Sequence, residues 1–192
     1  MVKFSRRIIE TERIQLHPYA LKYYEPVFLL IRKNKTRLSD SFPNLLKSTE
    51  TETETKEFVR RKINDWNRNK TYALMIVYKS NQELIGHFNL KDIDWKTGVC
   101  EIAYFIDADF EQRGLATEVI RRMLSVCFDD IALNHVFARI VSDNIASQKA
   151  AEKSGLKYEG AFLKSPAIQD NTMLETYRYG ISREDYLRST LR

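Results

Sequence analysis

Between Thr97 and Leu124 a strand-like run, TGVCEIAYFID, passes through ADFEQR and one glycine, Gly114, into the pattern LATEVIRRML. From Leu115 the apolar residues recur three to four positions apart. Leu115, Val119, Met123 and Val126 form one row, with Ala116, Ile120, Leu124 and Cys127 beside it, and this spacing predicts a helix. A strand running directly into an amphipathic helix commits the chain to a mixed α/β architecture rather than an all-helical or all-strand one.

The segments on either side agree. Arg13 to Leu16 reads as a short strand ended by a turn at Pro18, and Ala20 to Arg32 reads as a helix with Tyr24, Val27, Phe28 and Ile31 on one face. Lys33 to Thr51 is less regular, broken by SFPNLL, and TETET leads into a helix over Thr53 to Asn67. YALMIVYK and ELIGHFNLKDID are strands joined by the hairpin-like turn KSNQ, and TGVCEIAYFID follows as a third. After the central helix come a strand, HVFARIV, a short helix, NIASQKAAEKSG, closed by Gly155, and two final strands, LKYEGAFLK and TMLETYRYGI. A helix-rich start followed by β-β-β-α-β-α-β-β describes one domain over residues 1–192, with no linker and no repeat.

Composition excludes several classes. No apolar run approaches the ~20 residues of a membrane span, and MVKFSRRIIETERI has no apolar stretch of a signal peptide. Cys100 and Cys127, the only two cysteines, form no disulfide framework and read as buried thiols in a reducing compartment. The three histidines, His17, His87 and His135, lack metal-ligand spacing, so no metal is expected. The net charge of +5 is spread along the chain. Even the basic run KEFVRRK reads as the solvated face of an amphipathic helix, so nucleic acid is not the expected partner. A moderate positive charge also suits a phosphate-bearing ligand.

A glycine at a strand-to-helix turn can simply shape the turn. It can also let a phosphate approach unpaired N–H groups at the positive end of the helix. In the second reading Gly114 admits the ligand, Ala116 leaves the first helical turn uncrowded and Thr117 adds a hydroxyl. The loop is neither a GxxxxGK[ST] phosphate loop nor a GxGxxG dinucleotide turn, because it has no lysine and only one glycine.

The stretches IAYFIDADFEQRGLATEVIRRML and NHVFARIVSDNIASQKAAEKSGLKYEG resemble the GNAT superfamily of acyl-CoA-dependent N-acetyltransferases. The opening TERIQLHPY and the ending ETYRYGISREDY are similar to its RimJ/RimL branch, which acetylates ribosomal-protein N-termini; Lys33 to Lys56 matches least. The resemblance implies a GNAT-like, mostly antiparallel central sheet with flanking helices and a splayed strand pair. Acetyl-CoA would lie in the resulting slot. Pantetheine would pair with the backbone at Phe105 and Ile106 and contact Asn144, and the pyrophosphate would meet Gln112, Arg113, Gly114, Leu115, Ala116 and Thr117. One position departs from the pattern: Glu111 stands where the superfamily usually has Gln or Arg. Its carboxylate should either point to solvent or reduce CoA affinity, and Arg113 is the nearest compensating charge.

The resemblance also implies a reaction, acetyl transfer to a primary amine. The acceptor is expected to be a protein or peptide N-terminal α-amine. A small-molecule amine, or a CoA-binding protein with little catalysis, are the alternatives. The tyrosine that often assists the leaving thiolate falls at Ala151 and is absent, leaving Ser147 as a donor, a CoA-orienting contact or a surface hydroxyl. The branch's glutamate base falls at Pro166. Glu101 is then a base acting through water or a polar wall of the slot. An α-amine with a pKa near ~8 costs about 1.4 kcal/mol to deprotonate at pH 7, against about 4.6 kcal/mol for a lysine-like amine near ~10.4. A weak base therefore suits an α-amine. Residues facing the acceptor are expected in Lys33 to Lys47 and near Leu163 to Asn171. A cytoplasmic monomer or homodimer, without nucleic-acid or membrane partners, completes the expectation.

Overall fold

The computed structural model describes residues 4–166 and 173–190. Eight strands form one sheet: β1 (Ile9–Glu10), β2 (Ile14–Pro18), β3 (Tyr72–Tyr78), β4 (Glu83–Asp94), β5 (Val99–Ile106), β6 (His135–Val141), β7 (Lys157–Pro166) and β8 (Met173–Ser182). Their order is β1-β2-β3-β4-β5-β6-β8-β7. Every neighbouring pair is antiparallel except β5 and β6, which are parallel and joined through the central helix α5 (Leu115–Ser125).

β3 is apolar without interruption because both its faces are covered. Leu74 and Ile76 join a core with Val119, Ile120, Met123 and Leu124 of α5. Ala73 and Met75 join a second core built from α1 (Tyr24–Lys33) and α4 (Glu52–Asn67), which holds Val27, Ile31, Phe58 and Val59. The TETET segment starts α4 through a capping box. Thr51 Oγ1 accepts from the Glu54 N–H at 3.2 Å, and the Glu54 carboxylate accepts from the Thr51 N–H at 2.9 Å.

Several boundaries differ from the sequence reading. The expected helix over Ala20 to Arg32 is a 3-10 turn, Leu21–Tyr23, followed by α1. Pro18 does not make the turn but ends β2 opposite Leu74, beyond the reach of β1, where its missing N–H costs no ladder bond. The irregular stretch contains two short helices, α2 (Lys35–Leu38) and α3 (Pro43–Lys47), with Pro43 opening α3 instead of merely breaking the pattern. After Ser125 the chain continues as a π-helical turn, Val126–Asp130. α6 (Ile145–Lys153) follows β6, and α7 (Arg183–Thr190) follows β8. Among the described residues no helix is long and apolar enough to cross a membrane.

The feature that makes the site is the seam between β5 and β6. They pair only at Val99–His135, Cys100–Val136 and Glu101–Phe137. Beyond Glu101, β5 stays with β4 and β6 stays with β8, so the strands splay and the β6-facing edge of β5 is left without a strand partner.

Candidate active site

Two cavities meet in the splay. One, of about 600 Å³, is bounded by Phe105, Ile106, the loop from Gly114 to Thr117 and the start of α6. The other, of about 520 Å³, is bounded by α4, the odd-numbered face of β4, Glu101 and Arg139. Phe42, Tyr104, Asn144 and Ser147 border both.

The loop is a row of open donors. Gln112 and Gly114 take left-handed φ angles of 58° and 74°. Gly114 occupies the N-cap position of α5, so no side chain caps the helix. The backbone N–H groups from Gln112 to Thr117 have no partner among the described residues. The loop is held from behind. Arg13 donates through Nη1 to the Arg113 carbonyl at 2.9 Å and through Nε to Glu118 of α5 at 2.7 Å, and its own N–H donates to Glu118 at 2.9 Å. Open N–H groups at a helix start, stiffened by a buttress, fit an anion such as a pyrophosphate.

A Cβ built on Gly114 would meet only Arg13 Nη2, at 3.8 Å. The protein itself leaves room there, so a side chain would stand in the ligand's approach. Gly114→Val is expected to weaken CoA binding roughly tenfold or more, the scale of losing one or two hydrogen bonds to a charged group. Calorimetry measures this, and an unchanged affinity would remove the loop from the site.

Of the other residues the sequence singled out, Phe105 and Ile106 face the larger cavity, and Gln112, Leu115, Ala116 and Thr117 lie beside it. The Arg113 side chain turns away, over the Phe110 ring at 4.9 Å and onto the Asp109 carbonyl at 2.8 Å. The charge that answers Glu111 is instead Arg37 of α2, whose guanidinium binds the Glu111 carboxylate and also donates to the Ile106 carbonyl at 3.3 Å. Arg37 escaped notice because nothing in an irregular segment marked it. With Glu111 already engaged, Glu111→Gln should leave CoA affinity equal or higher by freeing Arg37 toward the phosphates. A markedly lower affinity by calorimetry would mean that Glu111 itself contacts the ligand.

Asn144 caps α6, its Oδ1 accepting from the Ser147 N–H at 3.0 Å. Ser147 thus sits in the first turn of α6 beside both cavities. Across the seam the Tyr104 hydroxyl donates to the Ser147 carbonyl at 3.2 Å, and burial raises its pKa above the ordinary tyrosine value. Tyr104 was not a sequence candidate. It brings a phenol from β5 toward the place where the tyrosine missing at Ala151 was sought.

Glu101, 3% exposed, marks the last rung of the β5–β6 pairing. Its Oε1 accepts from Lys91 Nζ at 2.9 Å, and its Oε2 accepts from Arg139 Nε at 2.9 Å. His87 lies nearby, its Nδ1 2.9 Å from the Tyr19 hydroxyl; burial brings its pKa down to about 3, so the ring is neutral at working pH. Pro166 ends β7 opposite Met173. The acceptor-side segment expected near Leu163 to Asn171 lies, from 167 onward, outside the described residues. From the other expected segment, Phe42, Pro43 and Leu45 border the smaller cavity.

A splayed parallel pair, an open N–H loop at a helix start and a polar cavity on the far side define an acyl-CoA-dependent transferase fold. The chain belongs to the acetyltransferase (GNAT) domain family, which matches residues 13–157, and is an N-acetyltransferase with acetyl-CoA as its donor. It is similar to the ribosomal-protein-serine acetyltransferase of Escherichia coli (strain K12), at 25% identity over 83% of this chain and 88% of that protein. A ribosomal L7/L12 α-N-protein acetyltransferase solved with coenzyme A superposes with a TM-score of 0.82 at 18% identity, over 92% of this chain and 98% of that one. The ribosomal-protein-S5-alanine acetyltransferase of Vibrio fischeri superposes with a TM-score of 0.81 at 15% identity, over 94% and 98%. At those identities the two structures share the fold.

Proposed function

We propose that the protein acetylates the α-amino group at the N-terminus of a protein or peptide in the cytoplasm. The observation that carries this reading is the meeting of the two cavities at Tyr104, Asn144 and Ser147, which lets donor and acceptor enter from opposite sides of the sheet. The resemblance to ribosomal-protein acetyltransferases supports the choice of acceptor.

The N–H groups from Gln112 to Thr117 hold the pyrophosphate, and the splayed part of β5 at Phe105 and Ile106, which has no strand partner and whose Ile106 carbonyl Arg37 reaches, takes the pantetheine arm. Asn144 has its Oδ1 committed to the helix cap, so its Nδ2 is the atom left for the arm. The thioester then lies near Ser147. The neutral amine nitrogen attacks the thioester carbonyl carbon, the C–S bond breaks, and the amine's extra proton passes through water to Glu101. The Ser147 hydroxyl, which makes no hydrogen bond of its own among the described residues, is the donor within the seam for the leaving thiolate, and the Tyr104 hydroxyl becomes a second once it turns from the Ser147 carbonyl.

The test is an acceptor screen with acetyl-CoA, scored by release of free CoA thiol. Peptides with free N-termini should turn over, and the same peptides with blocked N-termini should not. Turnover confined to lysine side chains or polyamines would overturn the α-amine assignment.

A further inference from the structure

Three consecutive odd positions of β4, His87, Asn89 and Lys91, face the smaller cavity, while Phe88 and Leu90 between them enter the core. The fold uses this polarity only in part: His87 bonds Tyr19 and Lys91 pairs with Glu101, while Asn89 is left unmatched. Asn89 is only 6% exposed, yet its Oδ1 has no hydrogen-bond partner among the described residues. A buried amide left unpaired is costly and calls for an occupant. The neighbouring His87 ring is neutral, and in the tautomer whose Nδ1–H donates to the Tyr19 oxygen its Nε2 can accept a hydrogen bond from an amine without repelling it.

The charges around this floor are uneven. Lys91 and Arg139 are matched, both binding Glu101 and each also lying near Asp92, at 3.4 and 3.5 Å. Lys62 and Arg61 of α4 border the same cavity and make no ion pair among the described residues. The Lys62 ammonium lies over the Phe58 ring at 5.3 Å, is drawn below the ordinary lysine pKa by burial, and is close enough to help keep His87 neutral. A desolvated lysine with no carboxylate at ion-pair distance, felt by Asp65 and Asp92 only at longer range, is a ready partner for an incoming anion. The cavity therefore has one carboxylate, Glu101, already balanced by Lys91 and Arg139, and an unmatched positive side at Lys62 and Arg61.

From this division we propose, building on the N-acetyltransferase reading, that the acceptor is an amine carrying a carboxylate or phosphate close to its nitrogen. The amine meets Asn89, His87 and Glu101, and the anion is held by Lys62 and Arg61. Polyamines lack the anion and face the unmatched cations. For a peptide acceptor the matching sequence has Asp, Glu or a phosphorylated residue at the first positions. The same cations make the bound ammonium easier to deprotonate, which assists a site with a modest base.

The experiment compares kcat/KM at saturating acetyl-CoA for three peptides that begin with serine and continue with acidic, amide or lysine residues. O-phosphoserine and spermidine serve as small-molecule arms. The acidic peptide should exceed its amide counterpart about tenfold or more, the scale of a close charge pair at a binding surface. In Lys62→Met that ratio should fall toward one, and in Lys62→Glu it should invert in favour of the lysine peptide, with CoA binding by calorimetry showing that the variants are folded. Equal rates for acidic and amide peptides, or a ratio unmoved by both substitutions, would overturn the inference while leaving the transferase reading intact. Turnover of O-phosphoserine alone keeps the anion site and removes the protein N-terminus. Thiol release with none of these amines, despite CoA binding, overturns both.

Discussion

Glu101→Gln will lower kcat by about 10²- to 10⁴-fold at neutral pH, the usual scale for a group that moves a proton in the transition state. The loss will narrow as pH rises, because more of the amine then arrives neutral and needs no acceptor for its proton. Glu101 is the carboxylate that borders the smaller cavity, the one proposed for the acceptor, at the foot of the splay. It also balances Lys91 and Arg139, so the variant must be checked for folding before its rate is read. CoA binding should change little, since the cofactor cavity is formed by other residues. A pH–rate profile of wild type and variant, with the best acceptor found, separates the roles. Profiles of the same shape, displaced by a constant factor, would make Glu101 an ion-pair anchor; superimposed profiles would make it a wall.

Gly86→Ala should be the most damaging small substitution in the sheet. A Cβ there would lie 2.3 Å from the Phe105 carbonyl oxygen and 3.3 Å from Ile106 Cα. Both are backbone atoms of β5, so relief requires β4 and β5 to part. A cost of about 2–4 kcal/mol is expected for such overpacking. At about 2–4 °C per kcal/mol for a domain of this size, the melting temperature should fall by roughly 5–15 °C. CoA affinity should fall with it, because Phe105 and Ile106 form the donor-side wall. Gly114→Val should shift the balance, with the larger loss in CoA affinity and a smaller fall in melting temperature, because valine is strained at the left-handed φ of 74° there but meets no backbone atom. Thermal melts and calorimetry on the two variants compare them directly, and a Gly86→Ala protein that melts like wild type would show that the strands can part freely.

How much of this was legible in the sequence depended on the length and context of each segment. α4 and α5 were readable because their apolar rows run for several turns, and β3 because seven residues are buried almost throughout. β1 has only two residues, too few for any period, and α7 buries none of its side chains, so no apolar row announced it. The donor loop was visible through Gly114. Arg37 was not, because a charged residue in an irregular stretch acquires meaning only when folding sets it beside Glu111. The acceptor floor is subtler. HFNLK carries a plain period of two, but an alternating strand usually turns its polar face to solvent. Here that face is roofed by α3 and α4, and only tertiary structure reveals this.

The unpaired edge of β5 also bears on how the chain avoids its own copies. Free strand edges recruit other strands and so seed aggregation. This one is largely sheltered: Ile102, Tyr104, Phe105 and Ile106 are each under 10% exposed, with 2%, 9%, 6% and 7% of their surface reached by solvent, and Ala103 between them is half-buried in the cavity wall. A second polypeptide strand, with side chains projecting on both faces, has no route to it. The pantetheine arm proposed above is slimmer, its branches limited to a hydroxyl and a pair of methyls. With this edge inside a crevice, visitors would be sorted by girth, so that the geometry proposed to admit the cofactor arm would also guard the sheet against neighbouring molecules.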